Sequence, residues 1–185
     1  GVKSYQTRKK HSGLDGRKTN RKNLSTSLSL TTNQWIKLIR SKRKKMILRP
    51  ENFTEQAQEV LNSSQEAVRE FHHSEWDVEH ILIALLRLED GVPVEVLEEL
   101  GVDPNAMKAN IEGVLEGSPR LETTPTQVYA TPRAVRAVEN AKAEAERLKD
   151  EFIGTEHILI GCVLIEDGDS SDIFSEFGIN QEKIY

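Results

Sequence analysis

Ala57, Leu61, Ser64, Val68 and Phe71 recur at spacings of 4-3-4-3, which lays a small-to-apolar stripe along one helix face behind Thr54 as N-cap. Ala134, Val138, Ala141, Ala145 and Leu148 keep the same spacing behind Thr131, and Pro132 takes the first helical position, where its missing N–H is not needed. Stripes of Ala and Ser imply close helix approach. After a short link comes Glu79-His80-Ile81-Leu82-Ile83-Ala84-Leu85-Leu86, apolar nearly all round, which predicts a buried helix at the centre of its unit. Glu89-Asp90-Gly91 ends that helix. A third helix is predicted from Val94 to Leu100, stopped by Gly101 as a left-handed cap, and a fourth from Asn105 to Leu115 behind Asp103-Pro104. Glu116 to Pro125, with its Gly, Pro and Thr, reads as a linker.

The pattern occurs twice. Glu79-His80-Ile81-Leu82-Ile83 returns as Glu156-His157-Ile158-Leu159-Ile160, and the same shift of 77 carries Glu89-Asp90-Gly91 onto Glu166-Asp167-Gly168, Thr54 onto Thr131 and Gly101 onto Gly178 without a gap. The expected fold is therefore all-α, two pseudo-symmetric four-helix repeats, the second truncated at its last helix because Tyr185 falls where that helix should begin. Ile81, Leu82 and Leu85, with Ile158, Leu159 and Cys162, are expected in the core, and no strand is expected. A duplicated helical unit favours a binding platform over an enzyme, since neighbouring copies must bury each other's apolar faces.

Charge then divides the chain. Residues 1–45 hold 14 of the 25 Lys and Arg and a single acid, Asp15, for a net +13, while residues 46–185 carry −18. The boundary at Met46 suggests the natural start of the acidic part. The basic segment 1–45 reads as a disordered or non-native extension: upstream sequence without an evolved role, a polyanion-binding arm acting by counterion release, or an organellar transit peptide. The expected organisation is thus 1–45 extension, 46–118 repeat 1, 119–126 linker and 127–185 repeat 2. No apolar run reaches the roughly eighteen residues that would mark a membrane span, and the single Cys162 excludes an intrachain disulfide.

Candidate chemistry is sparse. Gly13-Leu14-Asp15-Gly16-Arg17-Lys18-Thr19 lacks the spacing of a phosphate-cradling loop. His72-His73 and His80 come without the companions of a metal motif, so core or helix-end roles are favoured, and Cys162 sits in an apolar run that suits a small buried hydrophobe. No catalytic residue, metal or cofactor is expected.

Phe53-Thr54-Glu55-Gln56-Ala57 followed by Glu79-His80-Ile81-Leu82, then Thr131-Pro132-Arg133-Ala134 followed by Ile153-Gly154-Thr155-Glu156-His157-Ile158-Leu159, resembles the N-terminal double-repeat domain of the Clp ATPases of ClpB and ClpC type. The resemblance covers about residues 50–185. It implies a chaperone-associated domain of protein quality control that engages unfolded or marked substrates and adaptor proteins above AAA+ ring modules, in the cytoplasm or an organellar matrix. It further implies a phosphoarginine-binding role for Thr54 with Glu79 and for Thr131 with Glu156. A carboxylate can accept paired hydrogen bonds from a guanidinium, and a hydroxyl with free N–H groups at a helix start suits a phosphate. Repeat 1 departs from the pattern at Trp76-Asp77-Val78, so its site is expected to be altered and that of repeat 2 to be the better template. Capping by the two threonines and first-turn placement of the two acids explain the same residues without a ligand. Two other readings stay open: a stand-alone adaptor or regulator without ATPase modules, and a polyanion-binding protein acting non-specifically through 1–45.

Overall fold

A computed structural model describes residues 49–185, so the readings placed on residues 1–45 and on Met46 lie outside the described residues. A 3₁₀ turn, Pro50–Asn52, leads into α1 (Glu55–Glu70), whose N-cap Thr54 accepts a hydrogen bond from the Ala57 N–H through its hydroxyl at 3.2 Å. There follow β1 (Glu75–Trp76), α2 (Val78–Leu86), α3 (Val92–Glu99), α4 (Pro104–Gly117), β2 (Tyr129–Ala130), α5 (Pro132–Leu148), α6 (Thr155–Val163) and α7 (Asp169–Glu176). Three helices of the first unit map onto three of the second at the shift of 77: α1 on α5, α2 on α6 and α3 on α7. Residues beyond Asn180, where a counterpart of α4 would start, form a turn.

Some boundaries differ from expectation. α3 begins two residues earlier than Val94, because Pro93 is tolerated in a first turn whose N–H groups have no helical partner. α4 runs on to Gly117, which makes the predicted linker shorter. The left-handed Gly101 after α3 stands as expected, with φ of 77°.

The all-α reading holds apart from two short parallel contacts, and these reveal the symmetry. Glu75 and Trp76 of β1 pair with Tyr129 and Ala130 of β2, while Phe53 bridges Ile153. At the shift of 77, Phe53 corresponds to Ala130 and Trp76 to Ile153. Each unit therefore lends the residues before its first helix to the link before the other unit's second helix. The Thr54 N–H donates to the Ile153 carbonyl at 3.1 Å and the Thr131 N–H to the Trp76 carbonyl at 3.0 Å. Such reciprocity is what a pseudo-twofold relation requires, by the logic of a self-complementary interface.

The core is continuous across both units. Ile81, Leu82, Leu85, Ile158, Leu159 and Cys162 are all buried, with α2 and α6 apolar on nearly every side. Small residues set the helix spacing. At Gly161 an added Cβ would lie 2.2 Å from the Ala137 carbonyl oxygen, so α6 rests directly on the backbone of α5. In repeat 1 the corresponding residue is Ala84, and Ser64 stands where α5 has Ala141. The Ser64 hydroxyl accepts from the Trp76 indole N–H at 2.8 Å and donates to the Leu61 carbonyl, which satisfies the polar edge of a buried tryptophan.

Candidate functional site at the seam of the two repeats

The starts of α2 and α5 meet at the seam, and there the two repeats exchange side chains. Asp77 caps α2 by accepting from the Val78 N–H, and the same Oδ1 accepts from the Thr131 hydroxyl at 2.7 Å and from Arg133 Nε at 3.2 Å. Arg133 Nη2 donates to Glu79 Oε1, which also accepts from the Ser170 N–H at the start of α7. Glu79 is almost wholly buried, its side chain 7% exposed, and Arg133 is 17% exposed. Burial opposes the Arg133 charge, but the carboxylates of Glu79 and then Asp77 outweigh it, so the guanidinium is held above its ordinary range. Gly168 completes the clamp: a Cβ there would coincide with the Arg133 guanidinium, at 1.2 Å from Nη1.

The corresponding place in repeat 2 is built differently. Gly154 replaces Asp77, Gln56 replaces Arg133 and Gly91 replaces Gly168. Glu156 folds back over Gly154, into the space that a side chain at that position would occupy, and its side chain is 39% exposed. Its Oε1 lies 3.1 Å from His157 Nδ1. That nitrogen already accepts from the Gly154 N–H at 2.9 Å, so it carries no proton and the contact is not an ion pair. Among the described residues Glu156 has no Lys or Arg partner, whereas Glu79 has one.

The four candidate residues are thus distributed across the seam. Thr131 faces Asp77 of repeat 1, and no hydrogen bond joins it to Glu156. Thr54 caps α1 and lies against Ile153, just before the segment that carries Glu156. Asp77, Arg133 and Ser170 are additional members that inspection of single repeats missed. The signal was available in the shift of 77, which pairs Arg133 with Gln56 and Asp77 with Gly154.

The histidines behave as helix-start residues. His80 Nδ1 accepts from the Asp77 N–H at 3.1 Å, as His157 Nδ1 does from Gly154. Nε2 of each ring then carries the proton, and its partner differs: His80 reaches His73 Nδ1 at 2.9 Å, and His157 reaches Asp150 at 3.0 Å. His73 and Asp150 occupy equivalent positions. His73 Nε2 is left facing the Leu115 carbonyl without a hydrogen bond of good geometry. Burial, then the charge of His73, lowers the His80 pKa to about 4, and burial lowers that of His73. The Cys162 thiol is fully buried and pushed up, first by that burial and then by Glu79, so it is held as a thiol.

Residues 52–177 match the model of the Clp repeat (R) N-terminal domain. The chain belongs to this Clp repeat family. Over 132 residues it is 33% identical to the chaperone protein ClpB of Oceanobacillus iheyensis, a match covering 71% of this chain and 16% of the relative. Over 131 residues it is 30% identical to the negative regulator of genetic competence ClpC/MecB of Bacillus subtilis, again covering 71% and 16%. This chain thus spans about one sixth of the length of the relatives it matches. The fold matches the Hsp104 N-terminal domain of Candida albicans with a TM-score of 0.64 at 19% identity, covering 72% of this chain and 86% of that one. A ClpV N-domain solved with a VipB peptide matches with a TM-score of 0.57 at 18% identity, covering 77% and 91%. Among the described residues of this Clp repeat domain, no helix is long and apolar enough to cross a membrane.

Proposed function

We propose that this Clp repeat domain recognises segments of substrate or adaptor proteins on behalf of a Clp-type ATP-dependent unfoldase, in the cytoplasm or an organellar matrix. The relatives' names support the setting, ClpB as a chaperone and ClpC as the ATP-binding subunit of an ATP-dependent Clp protease. A peptide bound to the N-domain of ClpV supports peptide recognition by this fold. In this reading the chain itself turns over no ATP, and residues 46–118 and 127–185 are its two repeats, joined by 119–126.

The observation that carries the reading is Glu156: an accessible carboxylate at the start of α6 with no cation of its own chain among the described residues, in a domain of strongly negative charge. Such a group suits an incoming guanidinium, and in arginine-phosphorylated segments the phosphate would be met by Thr54 and the N–H groups nearby. The test is a titration of a phosphoarginine peptide and its unmodified twin against the wild type, Glu79→Ala and Glu156→Ala. Loss of a charge-assisted contact at Glu156 is expected to weaken binding by about 1.5–3 kcal/mol, tenfold or more. Equal binding by all three proteins would leave Thr54, Thr131 and Glu156 as helix-start structure and Glu79 as the structural partner of Arg133.

A further inference from the structure

We propose that Asp77, Glu79 and the Gly168 turn form a guanidinium receptor that Arg133 fills as a tethered ligand, closing repeat 1 to arginine-bearing partners and leaving repeat 2 open. This regulation of the site rests on the recognition role proposed above.

The clamp has the features of a ligand site more than of a surface ion pair. The guanidinium donates to two carboxylates at the start of α2, one of them nearly fully buried. Gly168 leaves room for it, and the Ser170 N–H orients Glu79 towards it. A tethered side chain has an effective concentration of about millimolar or more, so an arginine in a dilute peptide competes poorly for the same oxygens.

Repeat 2 keeps the acid of this site, Glu156, but has Gly154 in place of Asp77 and no tethered guanidinium. Gln56 takes the place of Arg133, and Glu156, its side chain 39% exposed, has no Lys or Arg partner among the described residues. Glutamine is shorter than arginine and uncharged, so it neither reaches as far nor satisfies a carboxylate as a guanidinium does. The chain therefore presents one such acid, Glu79, held by a guanidinium of its own chain, and one, Glu156, without a Lys or Arg partner among the described residues.

Two measurements on the full chain test this. The first is chemical rescue: Arg133→Ala should melt below the wild type, and added ethylguanidinium should restore most of that loss while leaving the wild type unaffected. The second is the stoichiometry of an arginine-containing peptide: one equivalent for the wild type, two for Arg133→Gln, and loss of the remaining site in Gln56→Arg. No rescue together with unchanged stoichiometry in Arg133→Gln would overturn the inference while leaving the recognition role standing. Rescue without peptide binding by any of the proteins would instead remove the recognition role and keep the receptor. Should Arg133→Ala fail to fold, Gln56→Arg decides the matter, because it leaves the buried clamp intact; undiminished peptide binding by that variant overturns the proposal.

Discussion

The two repeats share a backbone plan and differ at the seam, where repeat 1 is sealed by charge and repeat 2 by small residues. In repeat 1 Asp77, Glu79 and Arg133 form an ion cluster, Trp76 leans on Ser64 and His80 leans on His73. In repeat 2 the equivalents are Gly154, Glu156 and Gln56, then Ile153 with Ala141, and His157 with Asp150. The buried polar network of the first unit fixes geometry at the risk of large losses if any member is removed. Closer backbone packing performs that role in the second unit and frees Glu156 for solvent. Duplication followed by unequal substitution has thus turned two copies of one element into a structural half and an accessible half.

Removing the acid of each repeat should break this comparison most sharply. Glu79→Ala leaves a largely buried guanidinium with Asp77 alone, and breaking a buried pair from one side typically costs about 3–5 kcal/mol, with Asp77 keeping the loss towards the lower end. Glu156→Ala removes an exposed first-turn acid, for which a loss of about 0.3–1 kcal/mol is expected. Urea unfolding of the two variants measures the contrast, and equal losses would show that Glu156 is also structural.

The histidine pair should make repeat 1 the acid-sensitive half. Unfolded His80 takes up a proton near pH 6.5 and folded His80 only near about 4, so between those values unfolding binds protons. The contribution is fully present above about pH 6.5 and falls as the pH drops towards 4, by up to roughly 3 kcal/mol. A proton added to His80 would go to Nδ1, where it opposes the Asp77 N–H that this nitrogen accepts at 3.1 Å. His73→Asp installs the residue of repeat 2 and supplies an acceptor for a charged His80, so the slope of stability between pH 6.5 and 5 should flatten. An unchanged slope would assign the acid loss to other groups.

Much of this architecture was legible in the chain because the controlling signals are local. The 4-3-4-3 stripes, the threonine caps and the apolar runs after Glu79 and Glu156 each depend on neighbours within two turns. The shift of 77 then fixed how many units there are. The two strand contacts were not legible, since two residues cannot show an alternating pattern. Arg133 was visible in Thr131-Pro132-Arg133-Ala134, yet its partner lies 54 residues away in the other repeat. The threonines were read with the acids of their own repeats, because sequence proximity suggests local pairing, whereas the twofold exchange sets each threonine against the other unit. The differences Asp77 against Gly154 and Arg133 against Gln56 marked the seam, but only geometry shows that they touch.

Packing should give a smaller contrast. Gly161→Ala pushes a Cβ to 2.2 Å from the Ala137 carbonyl oxygen and 2.8 Å from the Ala141 nitrogen. Overpacking of this kind costs about 1–3 kcal/mol, partly offset by the gain of about 1 kcal/mol in helix propensity. Ala84→Gly in repeat 1 should lose only about 1 kcal/mol, from propensity. Thermal melts compare the two, and a stabilised Gly161→Ala variant would mean that α5 and α6 separate without penalty.

The two caps should differ least, and the sign of their difference is informative. Thr54 and Thr131 each accept from the N–H three residues on, at 3.2 and 3.1 Å, so replacement by Ala should cost about 1 kcal/mol at either place. Thr131 additionally donates to Asp77, the residue that holds Arg133 Nε, and a hydrogen bond to a carboxylate at a half-exposed seam adds about 1 kcal/mol. Thr131→Ala should therefore be the more destabilising. In an Asp77→Ala background the excess should vanish, leaving the two caps equal. If the excess persists there, the extra stability of Thr131 comes from α5 itself, and the seam hydrogen bond between the repeats contributes nothing measurable.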